Sequence, residues 1–233
     1  MIKMIAFDAD DTLWTNEEHY LNVQKRFADL LEIDLSFKEI DQALLETEIR
    51  NVPIYGYGVK SFALSMVETA IQLTGGQVSA ATINNILAEI KAMLTDDVEL
   101  YPHVESVIRS LAQDYRLAII TKGDLLHQQS KIDRSGLTPY VDQVEIVSEK
   151  TTESYRRFLD NLGVVPQHFI MVGNSLRSDV LPVAAIGGVG VHIPSAFTWA
   201  HEEPTQQQGS HSAYHQLEHI GQLPGLIASL KAA

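Results

Sequence analysis

Five short apolar runs set the strongest limit on what this chain can fold into. They are Lys3–Phe7 (KMIAF), Leu117–Thr121 (LAIIT), Gln143–Ser148 (QVEIVS), His168–Val172 (HFIMV) and Val189–Ile193 (VGVHI). Each is short and shows little alternation of apolar and polar residues, which is how strands of a parallel sheet read when both faces are covered. From residue 102 onward they alternate with helical patterns at 102–114, 151–162, 179–186 and 222–232. That alternation predicts an α/β chain with an open, Rossmann-like parallel sheet. Ligands of such sheets bind beyond the carboxyl ends of the strands.

The stretch from Trp14 to Leu100 breaks this rhythm. Thr15-x-x-Glu18 and Ser36-x-x-Glu39 both read as capping boxes, in which side chains satisfy the first free helical amides. Tyr20, Val23, Phe27, Leu30 and Leu31 share a helical face, as do Phe62, Met66, Thr69, Ala70 and Leu73, which stop at Gly75-Gly76. Ile83, Ile86, Leu87, Ile90 and Leu94 repeat the pattern. About four amphipathic helices would bury these stripes against one another in a small bundle. Residues 15–99 are therefore expected to form a helical domain inserted into a core made of residues 1–14 and 100–233.

Composition removes several classes of chemistry. The chain of 233 residues has no cysteine, which excludes a disulfide scaffold, a thiolate metal centre and a cysteine nucleophile. Lys and Arg number 17 against 30 Asp and Glu, a net charge of −13, so no basic surface for nucleic acid is expected. No run approaches the length of a membrane span, and the start of the chain does not read as a signal peptide. The expectation is a cytoplasmic protein with neither membrane nor nucleic-acid partners.

Asp8, Asp10 and Asp11 follow the first strand directly, with Thr12 behind them. A polar turn would explain one aspartate there. Three crowded carboxylates repel one another unless a cation or a shifted pKa relieves them. Two of them separated by one residue can both face the mouth of the sheet, which suits a hard, oxygen-liganded cation such as Mg²⁺.

At these residues the chain resembles the haloacid dehalogenase-like hydrolase superfamily, in its C1-capped phosphatase branch. Asp8-Ala9-Asp10-Asp11-Thr12 is similar to motif I, Thr121 in IITKGD to motif II, Lys150 in VSEKTTESY to motif III, and Gly173-Asn174-Ser175 with Asp179 to motif IV. The resemblance implies hydrolysis of a small-molecule phosphate monoester through an aspartyl-phosphate on Asp8, with Asp10 as general acid and base. A neighbouring anion and partial burial are expected to raise the pKa of Asp10 for that role. Lys150 would neutralise the phosphoryl oxygens. The Thr121 hydroxyl and the Lys122 backbone amide would donate to them, and Mg²⁺ would be held by Asp8, Asp10, Asn174 and Asp179. Asp10 argues against carbon–halogen and phosphonate cleavage, whose enzymes in this superfamily lack that aspartate. A phosphomutase uses the same pair, and a phospho-accepting signalling module or a non-catalytic regulator stand as readings from another class.

In the same resemblance residues 15–99 correspond to the helical C1 cap, hinged near Trp14–Asn16 and Asp96–Tyr101, with Tyr55-Gly56-Tyr57-Gly58 and Lys60 as a substrate-facing loop or a plain helix connection. The implied partner is a small phosphorylated metabolite of the nucleotide, phosphoglycolate or sugar-phosphate class, acting on a monomer or homodimer. Asn174 departs from the motif by replacing its first aspartate, which removes one negative charge and predicts weaker Mg²⁺ binding. His201, His211, His215 and His219 read as a solvated C-terminal surface, and Arg156 and Arg157 as a solvated helix face.

Overall fold

In the computed structural model, residues 1–195 and 214–232 are described. Six strands form one sheet: β1 (Met4–Phe7), β2 (Arg116–Lys122), β3 (Gln143–Val147), β4 (Phe169–Gly173), β5 (Val189–His192) and β6 (His215–Gln216). Their order is β3-β2-β1-β4-β5-β6 and every pairing is parallel. β1 and β4 are wholly buried, because both of their faces are covered and both of their edges are paired. β3 lies at the sheet edge and is only partly buried, so its apolar run marks a half-covered strand rather than a central one.

The helices are α1 (Glu17–Leu31), α2 (Phe37–Tyr55), α3 (Val59–Leu73), α4 (Ala80–Thr95), α5 (Val104–Leu111), α6 (Leu125–Arg134), α7 (Thr152–Leu162), α8 (Leu181–Ala185) and α9 (Leu223–Ala232). Two apolar layers enclose the sheet. One joins Ile5, Phe7, Ile119 and Val172 to α5 and α9, and the other joins Ala6, Ile120 and Met171 to α7 through Tyr155 and Phe158. Successive strands run outward from β1 through β2 to β3, then outward from β4 through β5 to β6. The order therefore reverses between β1 and β4, and at such a reversal the loops diverge and leave a crevice at the strand ends.

The chain divides into two compact units. One holds Met1–Glu17, Val98–Lys122 and the chain from Gln129 on; the other holds Glu18–Asp97 with Gly123–Gln128. The division thus falls inside α6. The helical unit has its own core of Val23, Phe27, Leu44, Phe62, Met66, Ile86 and Ile90. The Ser36 box forms as the sequence predicts: the Ser36 hydroxyl accepts from the Glu39 amide, and Glu39 accepts from the Ser36 amide. On α4, Met93 is buried and Leu87 is exposed, which turns the buried stripe slightly from the predicted one.

The first predicted box is replaced. Asp11, not Thr15, caps α1, accepting from the Asn16 and Glu17 amides at 3.1 Å. The chain leaves and re-enters the sheet unit side by side, tied by Thr15 N–H to Glu99 O at 3.3 Å and Tyr101 N–H to Leu13 O at 2.9 Å. Among the described residues no helix is long and apolar enough to cross a membrane.

Candidate active site

The carboxyl ends of β1 and β4 carry the site, and β2 lies on the other side of β1. Phe7 is level with Ile119 and Val172, so Asp8 leaves the sheet one step beyond β1, where its N–H donates to Val172 O at 2.8 Å. Apolar pairing thus ends at the residue where charge begins. Lys150 lies in the connection between β3 and α7 and is almost fully buried, with its ammonium against Asp8 Oδ1 and 2.7 Å from Asp179 Oδ1. Thr12 donates to Asp8 Oδ2 at 2.9 Å and accepts from the Asn174 main-chain N–H at 3.0 Å. One hydroxyl therefore joins the ends of β1 and β4.

Asp179 reaches Lys150 because of what precedes it. After Gly173 a single π-helical turn, Leu176–Val180, folds Asp179 back over the strand, and its Oδ2 accepts from the Ser175 amide at 3.0 Å. A Cβ at position 173 would lie 2.2 Å from Asp179 Oδ2 and 2.6 Å from Asp179 Cβ, so only glycine fits beneath it. The conformation is ordinary; the close approach is what requires glycine.

The electrostatics follow from burial. Desolvation pushes the Asp8 carboxyl up to about 6, against the pull of Lys150, so it stays largely ionised at neutral pH. Burial of Lys150 opposes its charge, but the paired carboxylates outweigh it and hold the ammonium above the usual lysine range. Lys122 ends β2 with its ammonium 3.3 Å from Ser178 Oγ, and burial together with Lys150 brings it down to about 8. Thr121 is buried beside it. Asp11, in the left-handed region at φ 58°, is pushed up to about 7 by burial and by Asp10. Tyr101 donates to Asp11 at 3.4 Å, so Asp11 ties the returning segment to the α1 terminus.

The structure therefore brings Asp8 and Asp179 onto the one buried Lys150 ammonium and joins Asn174 to Asp8 through Thr12, with Thr121 and Lys122 ending the strand beside β1. Asp10 has different company. Lys131 from α6 lies 2.6 and 2.8 Å from its two oxygens, and Trp14 Nε1 donates to Oδ1 at 2.7 Å. From the sequence alone Asp10 has only a neighbouring anion and partial burial, and this cation is not legible there, because no helix is expected at 125–134. The buried positions of α6 are His127, Gln128, Lys131 and Ile132, followed by Ser135, so no apolar stripe marks the helix. The available signal was Asp124 before the first turn, whose side chain accepts from the His127 amide, and Gly136 after the last.

The remaining candidates fall outside this cluster. Lys60 pairs with Asp124 at 3.0 Å within the helical unit. Met66 is core, and Arg156 and Arg157 are solvated. His215 and His219 are exposed, whereas His201 and His211 lie outside the described residues.

The donor set fits a hard cation. Among the described residues no trio of His, Cys, Asp or Glu side chains is placed to hold a metal. The two carboxylates on Lys150, however, and the Asn174 side-chain carbonyl, whose Oδ1 is 3.3 Å from Thr12 Oγ1, offer oxygen donors. One or two carboxylates with waters completing the shell is how Mg²⁺ is commonly bound.

The haloacid dehalogenase-like hydrolase signature matches residues 2–187. The chain belongs to that family. This haloacid dehalogenase-like chain is 38% identical to a family hydrolase of known structure from Xanthomonas campestris, with a TM-score of 0.87 over 99% of this chain and 92% of the other. Among curated relatives, a glyceraldehyde 3-phosphate phosphatase from Methanocaldococcus jannaschii is 26% identical, over 83% of this chain and 85% of its own length. An N-acylneuraminate-9-phosphatase from Rattus norvegicus is 23% identical, over 98% and 95%. By family and by relatives the chain is a hydrolase of the phosphatase kind.

Proposed function

We propose that the chain hydrolyses a phosphate monoester of a small metabolite in two steps on Asp8, with Asp10 carrying the proton. The observation behind this reading is the buried Asp8–Lys150–Asp179 arrangement at the reversal of the sheet. Asp8 needs no base, because a carboxylate is already the nucleophilic form. It attacks phosphorus as the ester P–O bond breaks, and the departing oxygen takes a proton from Asp10. In the second step Asp10, now a carboxylate, takes a proton from the water that attacks phosphorus. The Asp8–phosphoryl bond breaks, inorganic phosphate leaves, and the proton on Asp10 is restored.

Two anions must meet for the first step, and Lys150 is the fixed cation that allows it. The Thr121 hydroxyl and the Lys122 amide, at the end of β2, are the neutral donors for the other phosphoryl oxygens. Of the four residues expected to hold Mg²⁺, Asp8, Asn174 and Asp179 would do so, while the Asp10 side chain is held by Lys131; the ion would supply further charge neutralisation of the phosphoryl group when bound. Residues 15–99 would be the cap that selects the leaving group. The glyceraldehyde 3-phosphate phosphatase and N-acylneuraminate-9-phosphatase relatives support a small phosphorylated metabolite as the substrate. The test is Asp8→Asn assayed with 4-nitrophenyl phosphate and Mg²⁺. A loss of at least roughly 10³-fold in kcat is expected, on the scale of losing a catalytic nucleophile, and wild-type turnover would remove the mechanism.

A further inference from the structure

The buried cation on α6 has no part in the scheme above, and we infer that Lys131 is the positioning residue for Asp10. This rests on the proposed role of Asp10 and deepens it. Three contacts fix the Asp10 carboxylate: the Lys131 ammonium spans both oxygens at 2.6 and 2.8 Å, and the Trp14 indole N–H holds Oδ1 at 2.7 Å. Lys131 is itself anchored, donating to Asn16 Oδ1 at 3.1 Å, and its side chain is 9% exposed. Trp14 is 1% exposed and bridged to Leu100, so the indole cannot follow a swinging carboxylate.

Such an arrangement is more than one ion pair. Exposed pairs hold neither partner in place, because water replaces either at little cost. Here a planar carboxylate meets a buried ammonium on both oxygens and a rigid donor on one, which fixes its position and its plane. The form held is the acceptor form, the one that exists between the two proposed steps and must receive the proton of the attacking water. A proton carrier serving two opposite transfers needs one position for both, and a displacement of about 1 Å can cost roughly 100-fold in rate.

The experiment is a double-mutant cycle between Lys131→Met and Asp10→Asn, reading kcat and KM separately on an alkyl phosphate, with thermal unfolding checking that each variant folds. Lys131→Met is expected to lower kcat by roughly 10- to 100-fold while KM moves by less than about threefold. In the Asp10→Asn background the same change should cost nothing further, because Lys131 acts only through Asp10. Lys131→Arg, which keeps a cation at the carboxylate, should recover most of the loss. Should Lys131→Met fail to fold, Trp14→Phe removes one of the three contacts and should give a smaller kcat loss that also vanishes on Asp10→Asn. Wild-type kcat in Lys131→Met, or a loss that adds in full to that of Asp10→Asn, overturns the positioning role alone. Unchanged kcat in Asp10→Asn overturns the acid–base reading and the role of Lys131 with it.

Discussion

The two units of this chain bury acidic groups in opposite ways. At the strand ends of the sheet unit, Asp8 and Asp179 share Lys150, Asp10 takes Lys131, and Asp11 accepts two amides of α1. In the helical unit Glu48 is almost as deeply buried on α2, yet its Oε2 has no hydrogen-bond partner. Burial, with a smaller push from Asp41, raises the Glu48 carboxyl to about 8, so it is mostly protonated at neutral pH. A buried charge is kept where it is paired, and it is discharged where the surroundings offer only helix-packing side chains. The first solution costs two desolvated ions and yields a site. The second costs stability and gives no evident return.

Short of removing Asp8 itself, the largest effect should come from breaking the paired side without touching a charge. Gly173→Ala places a methyl where Asp179 folds back, so Asp179 must leave Lys150. A loss of roughly 100-fold in kcat is expected from a displacement of this kind, with the fold kept by circular dichroism; wild-type activity would show that the close approach is dispensable.

The unpaired side should answer to pH. Because the folded pKa of Glu48 lies above the unfolded value, the folded state holds the extra proton between about 4.5 and 8. Its contribution therefore falls as pH rises through that window and levels off above it. Glu48→Gln should remove this component, making the variant the more stable one at pH 8 by on the order of 2 kcal/mol relative to the difference at pH 5. Urea unfolding at both pH values measures it. A wild-type-to-variant difference that does not change with pH would mean that Glu48 is ionised and paired in the fold.

The smallest effect concerns the charge missing at Asn174. Asn174→Asp adds a carboxylate beside Asp8 and Asp179 and should lower the Mg²⁺ concentration for half-maximal activity by about tenfold, one added charge–charge interaction in a partly screened site. Half-saturation at low micromolar Mg²⁺ in the unaltered protein would show that the lost charge is already compensated.

Much of this comparison was legible in the sequence. Short apolar runs mark β1 to β5, and three helical stripes with the Ser36 box mark α1 to α4, because continuous burial or burial at a repeat of 3.6 residues leaves a local pattern. The resemblance in four short motifs picks out Asp8 and Thr121 at strand ends and Lys150 and Asp179 in the segments that follow strands. α6 escaped because its inward face is polar, and a polar face has no hydrophobic period to read. Thr15 misled for a related reason: a capping box is a local pattern, whereas the cap that forms comes from Asp11, which a left-handed turn points back at the α1 amides. Glu48 reads in sequence as an ordinary solvated acid, and only the tertiary fold buries it.

The sequence by itself determined the apolar strands, the amphipathic helices, their alternation and the residues that follow the first strand, since those follow from interactions among neighbours in the chain. Only the tertiary structure decided which cation serves which carboxylate. Lys150 meets Asp8 across 142 positions and Lys131 meets Asp10 across 121, separations at which nothing local carries information. Parallel strands align their carboxyl ends, and the connections following them then deliver two lysines to two aspartates one residue apart. That distribution separates a proposed nucleophile from a proposed proton carrier in a single run of five residues.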